Sequence, residues 1–211
     1  MHTRTKGVVL AITGGMSTGK STLSSILRRN GAAILSLDEL AHFLYEPGEP
    51  LYRSLVICFG HGIVGVDGSI DRKVLGRQVF GNTHALAMLN RIVHPVLRRE
   101  AARTISRMRR QNRLVVAEAG PLLFELGLSR IVDGVIMMRA ARRERLHRLM
   151  SGKSLSRELA EDRLAASEST EKGLEKKVRG VRGVIEVDTT GPVERTEAAA
   201  VKILKVLTKW P

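Results

Sequence analysis

One cysteine in 211 residues, Cys58, leaves no partner for an internal disulfide. A disulfide-stapled scaffold is thereby excluded, and the chain fits a reducing compartment. Cys58 reads as core filler rather than a nucleophile. Six histidines show no metal-ligand spacing, so neither thiol nor imidazole chemistry builds a zinc site. Aromatic residues make up only 3% of the chain. The core is therefore aliphatic, and the stacking platforms of single-strand nucleic-acid binders are missing. No apolar run approaches the roughly 20 residues of a membrane span. The short apolar stretch after Lys6 runs straight into a glycine-rich turn, unlike a secretory leader. There is no internal repeat and no low-complexity tract. Together these absences predict a cytoplasmic protein without a membrane partner. Acidic residues are outnumbered by basic ones, 21 to 35, for a formal net charge of +14. A basic chain of this size prefers anionic partners, either a phosphorylated small molecule or nucleic acid. The arginines concentrate in residues 98–113 and 139–148, and no aromatic interleaves them. The first cluster is equally a solvated helix face, and nucleic acid is not the expected partner.

What is present is more specific. Residues 14–21 read Gly14-Gly15-Met16-Ser17-Thr18-Gly19-Lys20-Ser21, the pattern G-x-x-x-x-G-K-[ST]. At average composition a chain this long holds about 0.01 such matches by chance. The glycines let successive N–H groups turn toward phosphate oxygens, Lys20 adds a charge for the β- and γ-phosphates, and the Ser21 hydroxyl suits Mg²⁺. Context supports the motif. Val8–Ile12 before it is a β-branched run of the kind a buried parallel strand requires. Leu23, Ile26 and Leu27 after it fall on one helical face. The ATP-binding residues expected from this segment are Gly14, Gly15, Met16, Ser17, Thr18, Gly19, Lys20, Ser21 and Thr22.

Further strand-like runs stand at 32–37, 114–117, 135–138 and 184–187, separated by helical patterns. Alternation of this kind predicts a parallel sheet covered on both faces. More than seventy residues separate Leu37 from Leu114, far beyond one crossover. Helices are expected from Leu40 to the Pro47-Gly48 stop, over 51–59, from an Asp71 cap to Val79, and from a Thr83 cap over 85–110, with a kink or break near His94-Pro95. In the second insertion, 142–150 and 156–166 read as two short helices around a turn at Gly152. An arginine-rich pair in that position resembles the lid of a phosphotransfer enzyme. Residues 192–207 read as a terminal helix.

In an open parallel sheet the ligand lies beyond the carboxyl ends of the strands. Asp38, just past the second strand, is either a base for an acceptor hydroxyl or the cap of the following helix. Glu118 ends the third strand; it either contacts Mg²⁺ through water or is an ordinary polar strand end. Arg72 and Lys73 at a helix start can grip an anion, and His94 either binds phosphate or supports the proline kink. Asp133 and Glu125 have weaker claims. No nucleophile–base pair suggests hydrolysis, whereas phosphoryl transfer needs mainly positioning and charge stabilisation.

Taken together, these residues resemble the dephospho-CoA kinase family. The likeness is dense over about residues 8–167. It runs from Ile12-Thr13-Gly14-Gly15 and Lys20-Ser21-Thr22 through Asp38, the turn Glu46-Pro47-Gly48-Glu49-Pro50, Asp67-Gly68-Ser69-Ile70-Asp71-Arg72 and Leu89-Asn90-x-Ile92-x-His94-Pro95 to Pro121-Leu122-Leu123-Phe124-Glu125. The resemblance implies an α/β P-loop NTPase fold of three α/β/α layers, with a five-stranded parallel sheet. It implies a nucleotide-binding core at 1–38, 112–141 and 168–211, a helical acceptor-binding subdomain at 39–111 and a lid at 142–167. It further implies phosphorylation of the ribose 3′-hydroxyl of dephospho-CoA, with ATP and Mg²⁺, by a monomer. Asp38, Lys20 and Arg148 are then the catalytic residues, Ser21 the metal ligand, and Asp38, Arg72, Arg77, His94 and Glu118 the acceptor side. The chain departs from the family pattern at Ser36, which replaces the first of two aspartates, at Gly152 and Ser167, where a lid arginine and a glutamine are expected, and at Thr189-Thr190-Gly191, where the family has asparagine-glycine. Arg145, Arg148 and Lys153 are the cations that can compensate. The departures leave two other readings open, a related kinase with another acceptor and a nucleotide binder without turnover.

Overall fold

Five strands, β1 (Val8–Gly14), β2 (Ala33–Ser36), β3 (Leu114–Glu118), β4 (Gly134–Arg139) and β5 (Val184–Asp188), form one sheet in the order β2-β3-β1-β4-β5. The computed structural model describes residues 7–153, 155–181 and 183–207. β1 pairs in parallel with β3 and β4, and β4 with β5. The helices are α1 (Lys20–Arg29), α2 (Leu37–Leu44), α3 (Tyr52–Phe59), α4 (Arg72–Val79), α5 (Thr83–Gln111), α6 (Leu122–Glu125), α7 (Arg142–Lys153), α8 (Arg157–Val178) and α9 (Val193–Leu207). The expected five-stranded parallel α/β architecture is thus what forms.

The chain leaves β1 toward the β2–β3 side and later fills the other side with β4 and β5. Loops at the carboxyl ends part at such a switch point and open a crevice, and the loop after β1 stands there. β1 is apolar on both faces because both are covered: Val9 through Ile12 are fully buried. One core joins Leu10, Ile12, Val116, Ile136 and Met138 of the sheet to Leu23, Ile26 and Leu27 of α1 and to Ala200 and Ile203 of α9. The helical face read from the sequence of α1 is the one that packs. Among the described residues no helix is long and apolar enough to cross a membrane.

Ser36–Thr104 forms a compact unit separate from the described residues on either side, with α5 continuing past its boundary. Its buried apolar residues include Leu37, Leu44, Leu51, Leu55, Ile63 and Leu75. Asp71 caps α4 as expected, its Oδ1 accepting from the N–H groups of Lys73 and Val74.

Four local expectations are corrected. The α5 segment runs unbroken through Pro95. A proline removes one N–H donor, and 29 residues of helix with buried Val93, Leu97, Ala101 and Ile105 on one face outweigh that loss. The start of α5 is held by Asn82, whose Oδ1 accepts from the Ala85 N–H, rather than by Thr83. Gly152 is not the turn itself: it is the penultimate residue of α7, which ends at Lys153. The next helix starts where Ser156 caps α8 by accepting from the Leu159 N–H. α8 also extends well beyond Ala166, because Ala160, Leu164, Leu174 and Val178 keep a buried stripe through a stretch that is polar elsewhere.

Candidate active site

The loop from Gly14 to Ser21 links β1 to α1 by a backbone that demands glycine at two points. Gly14 has φ 138° and Gly19 has φ 84°, a region disfavoured for side chains. A Cβ on Gly14 would also stand 2.5 Å from the Met138 carbonyl oxygen. Ser17, at φ 58°, is the one non-glycine residue with positive φ among those described. The carbonyl groups of the loop are turned to donors. Lys20 Nζ donates to the oxygens of Gly14 (3.0 Å) and Gly15 (2.6 Å). The buried Thr18 hydroxyl donates to Gly15 O at 2.9 Å. The loop leads into the N-terminus of α1, where backbone N–H groups suit an anion.

At the α1 side of the loop, Ser21 Oγ donates to Glu118 Oε1 at 3.0 Å. Glu118 ends β3 directly beside Ile12 of β1 in the ladder. The chain then turns back, Ala119 and Gly120 both donating to Ile12 O, and Thr13 Oγ1 donates to Gly120 O at 2.7 Å. These bonds fix the carboxylate next to the hydroxyl. Two hard oxygens side by side fit a divalent cation such as Mg²⁺. A cavity of about 420 Å³ runs from Ser21 along Thr22, Ser25, Ile26 and Arg29 of α1 to Val193 of α9, and neither Glu118 nor the loop before Ser21 lines it.

The helices α7 and α8 close on the loop from the other direction. They share a small apolar core of Leu149, Ala160 and Leu164, against which the Met16 side chain packs. Arg148 donates to Ser17 O (3.3 Å), Thr189 Oγ1 (3.1 Å), Thr189 O (2.6 Å) and Gly191 O (3.4 Å). The buried Thr189 hydroxyl donates to Thr18 O at 2.9 Å. Arg148 thus ties the loop to the turn after β5. Arg145 is buried and donates from Nε to Met16 O at 2.8 Å, while both of its Nη atoms reach the Glu171 carboxylate. Ser167 Oγ accepts from the Met16 N–H at 3.0 Å and donates to Glu171 Oε1. Gly152, where a lid arginine is expected, is exposed on α7, and the side chain of Lys153 lies outside the described residues. The carboxyl of Asp188, the last residue of β5, is held below the usual carboxylate range by the Thr190 hydroxyl and N–H.

Of the residues expected on the acceptor side, Asp38, Arg72, Arg77 and His94 lie in the Ser36–Thr104 unit, whereas Glu118 ends β3 in the other unit. Asp38 is exposed in the first turn of α2. The alternative of a helix cap is removed, because Ser36 is the cap: its Oγ accepts from the Glu39 N–H at 3.2 Å. His42 stands one turn after Asp38. Arg72 donates from Nη1 to His42 Nδ1 at 2.9 Å. A guanidinium can only donate, so this contact requires a neutral imidazole with its proton on Nε2. Burial, then the nearby Arg72 charge, lower the His42 pKa, against the pull of Asp38, Glu39 and Glu46. Arg77 is exposed on α4, and His94 is half-buried within α5. The contact of Arg72 with His42 brings together two of these elements, α2 and α4.

Glu171 and Thr189 were absent from the residues assigned a role from the sequence. Glu171 could have been found from Ser167, four residues earlier and so on the same helix face. Thr189 is visible only as a departure from a family motif; its use as a hydrogen-bonding hub is a tertiary property.

Known proteins align with this geometry over nearly the whole chain. The family model described as dephospho-CoA kinase matches residues 8–187. A dephospho-CoA kinase of Symbiobacterium thermophilum is 40% identical, over 90% of this chain and 77% of its own. One from Geobacter sulfurreducens is 37% identical, over 90% of this chain and 93% of its own. A solved structure from Thermus thermophilus superposes with a TM-score of 0.74 at 32% identity, covering 96% of this chain and 98% of that one.

Proposed function

The chain belongs to the dephospho-CoA kinase family, and from that premise we propose that it transfers the γ-phosphoryl group of ATP to the ribose 3′-hydroxyl of dephospho-CoA, giving coenzyme A. The observation that carries this reading is the loop between β1 and α1, with Lys20 on its carbonyls and Ser21 against Glu118.

In this reading the loop N–H groups hold the phosphates, and Lys20 neutralises charge on the group being transferred. Ser21 and Glu118 hold Mg²⁺, which when bound offsets phosphate charge. Arg148 keeps the loop and the turn at Thr189–Gly191 in register around the nucleotide. Asp38 accepts the proton of the acceptor hydroxyl. Arg72 and Arg77 give the Ser36–Thr104 unit positive charge for a substrate that carries a pyrophosphate, and His94 offers it a hydrogen-bonding ring.

The direct test is formation of 3′-phosphorylated product from dephospho-CoA by the purified chain with saturating ATP and Mg²⁺. Absence of product under those conditions refutes the reading. A second result follows from the His42–Arg72 contact. Protonation of His42 removes the acceptor that Arg72 uses and places a second cation beside it. Because the His42 pKa is lowered, the contact is intact at neutral pH and is lost only as the pH falls below the ordinary histidine range. The KM for dephospho-CoA therefore changes at acidic pH while the KM for ATP does not, and His42→Gln, with an uncharged side chain, flattens that dependence. An acid limb shared equally by both substrates contradicts this assignment.

A further inference from the structure

The phosphate loop of a kinase must keep one shape, and here part of that shape is imposed from residues about 130–155 positions away. We propose that Arg145, Ser167 and Glu171 form a clamp through which α7 and α8 position the Gly15–Met16 segment of the loop for nucleotide binding, Arg145 being a positioning residue and not the cation that touches phosphate. This rests on the assignment of the loop to ATP.

Three observations carry it. First, both backbone polar groups of Met16 are taken by the clamp: its carbonyl by Arg145 Nε at 2.8 Å, its N–H by Ser167 Oγ at 3.0 Å. Second, the donors of the guanidinium are largely spent on the protein, four of its five N–H groups having partners. Nη1 and Nη2 grip the two oxygens of Glu171, and Nη2 also approaches Ser167 Oγ at 3.4 Å. The arginine side chain is 6% exposed and its partner carboxylate 18%. A bidentate pair so enclosed is strongly oriented. Third, Glu171 fits because residue 15 has no side chain: a Cβ there would coincide with Glu171 Oε1, and would lie 2.7 Å from Arg145 Nη2. Gly15 is not among the glycines with positive φ, so its smallness serves the clamp rather than a backbone conformation.

Charge agrees with a positioning role. A lone carboxylate beside an anion-binding loop would repel ATP, and a lone arginine would attract it. Paired, they cancel, and what they contribute is geometry. The clamp also gives Ser167 a use at the place where the family pattern carries glutamine: a short hydroxyl reaches the Met16 N–H because Arg145 and Glu171 fill the remaining space.

The test reads ATP binding without acceptor, by titration calorimetry on the full chain, so that it stands apart from the identity of the acceptor; turnover of the wild-type chain with dephospho-CoA is measured separately. Glu171→Gln removes the ion pair and one of the two acceptors of the fork, and Gly15→Ala pushes Glu171 aside. Each raises the Kd for ATP about tenfold, as expected for a lost charged hydrogen bond that shapes a site. Because both break the same clamp, the double variant binds no more weakly than Gly15→Ala alone. Arg145→Lys, which keeps the charge but not the fork, weakens ATP to the same extent. The proposal is overturned if Glu171→Gln binds ATP as well as or better than wild type, if the two substitutions multiply, or if Arg145→Lys binds as wild type. Tighter binding by Glu171→Gln would identify Arg145 as a restrained phosphate ligand instead.

Discussion

Asp38→Asn lowers kcat by about 10²–10⁴-fold, the range for losing a positioned general base, and leaves the Kd for ATP at its wild-type value. Asparagine keeps the size and the hydrogen-bonding capacity of the side chain and loses only its ability to take a proton. The local structure tolerates the change. The cap of α2 belongs to Ser36, through its contact with the Glu39 N–H, and the Asp38 side chain is exposed. Its remaining structural role is a favourable charge near the helix N-terminus, shared with Glu39 and worth at most about 1 kcal/mol. The melting temperature therefore stays close to wild type while turnover falls. ATP binding is preserved because the loop, Lys20 and the Ser21–Glu118 pair are formed without Asp38. Turnover at the wild-type rate by Asp38→Asn would remove the base from the mechanism, and a large rise in the ATP Kd would reassign Asp38 to the nucleotide.

How much of this was legible beforehand depends on the range of the interaction. The five strands and the phosphate loop are written in contiguous runs, such as Val8–Ile12 followed by Gly14–Ser21, because a buried parallel strand and a glycine loop are each specified by a few adjacent residues. Helix starts were legible where the cap is a local side chain, as at Asp71, and misplaced by one residue at Asn82–Thr83, where either type can cap. Gly152 marked the stop slightly early, α7 ending at Lys153 and α8 starting at Arg157, because a glycine near a helix end does not fix which residue is the last. The clamp was out of reach for a different reason. Ser167 and Glu171 look like a polar helix face, and only the fold brings them to Met16. Asp38 shows the intermediate case: the contact of Ser36 with Glu39 removes its reading as a cap, and its role as a base is what we propose.

Lys20→Ala is expected to have the other large effect, and a different one from the clamp variants. Nζ of Lys20 lies on the carbonyl oxygens of Gly14 and Gly15, so the ammonium is held at the loop before nucleotide arrives. A preorganised charge of this kind costs no reorganisation when negative charge shifts during transfer, and removing one such group lowers kcat by about 10²–10³-fold. The KM for ATP rises as well, because the ground-state phosphates lose the same cation and the Gly14–Gly15 carbonyls lose a donor. The clamp variants change the shape of the loop while Lys20 remains, so their effect is concentrated in ATP affinity; Lys20→Ala combines weaker binding with slower chemistry. Lys20→Arg does not restore activity, since two carbonyls at 3.0 and 2.6 Å are met here by one compact ammonium, and a planar fork places its donors elsewhere. Single-turnover measurements at saturating ATP separate the two components. A Lys20→Ala chain that binds ATP weakly but transfers phosphoryl at the wild-type rate would confine Lys20 to binding and leave charge stabilisation of the transfer to the groups that remain, the loop N–H groups and the cation held by Ser21 and Glu118.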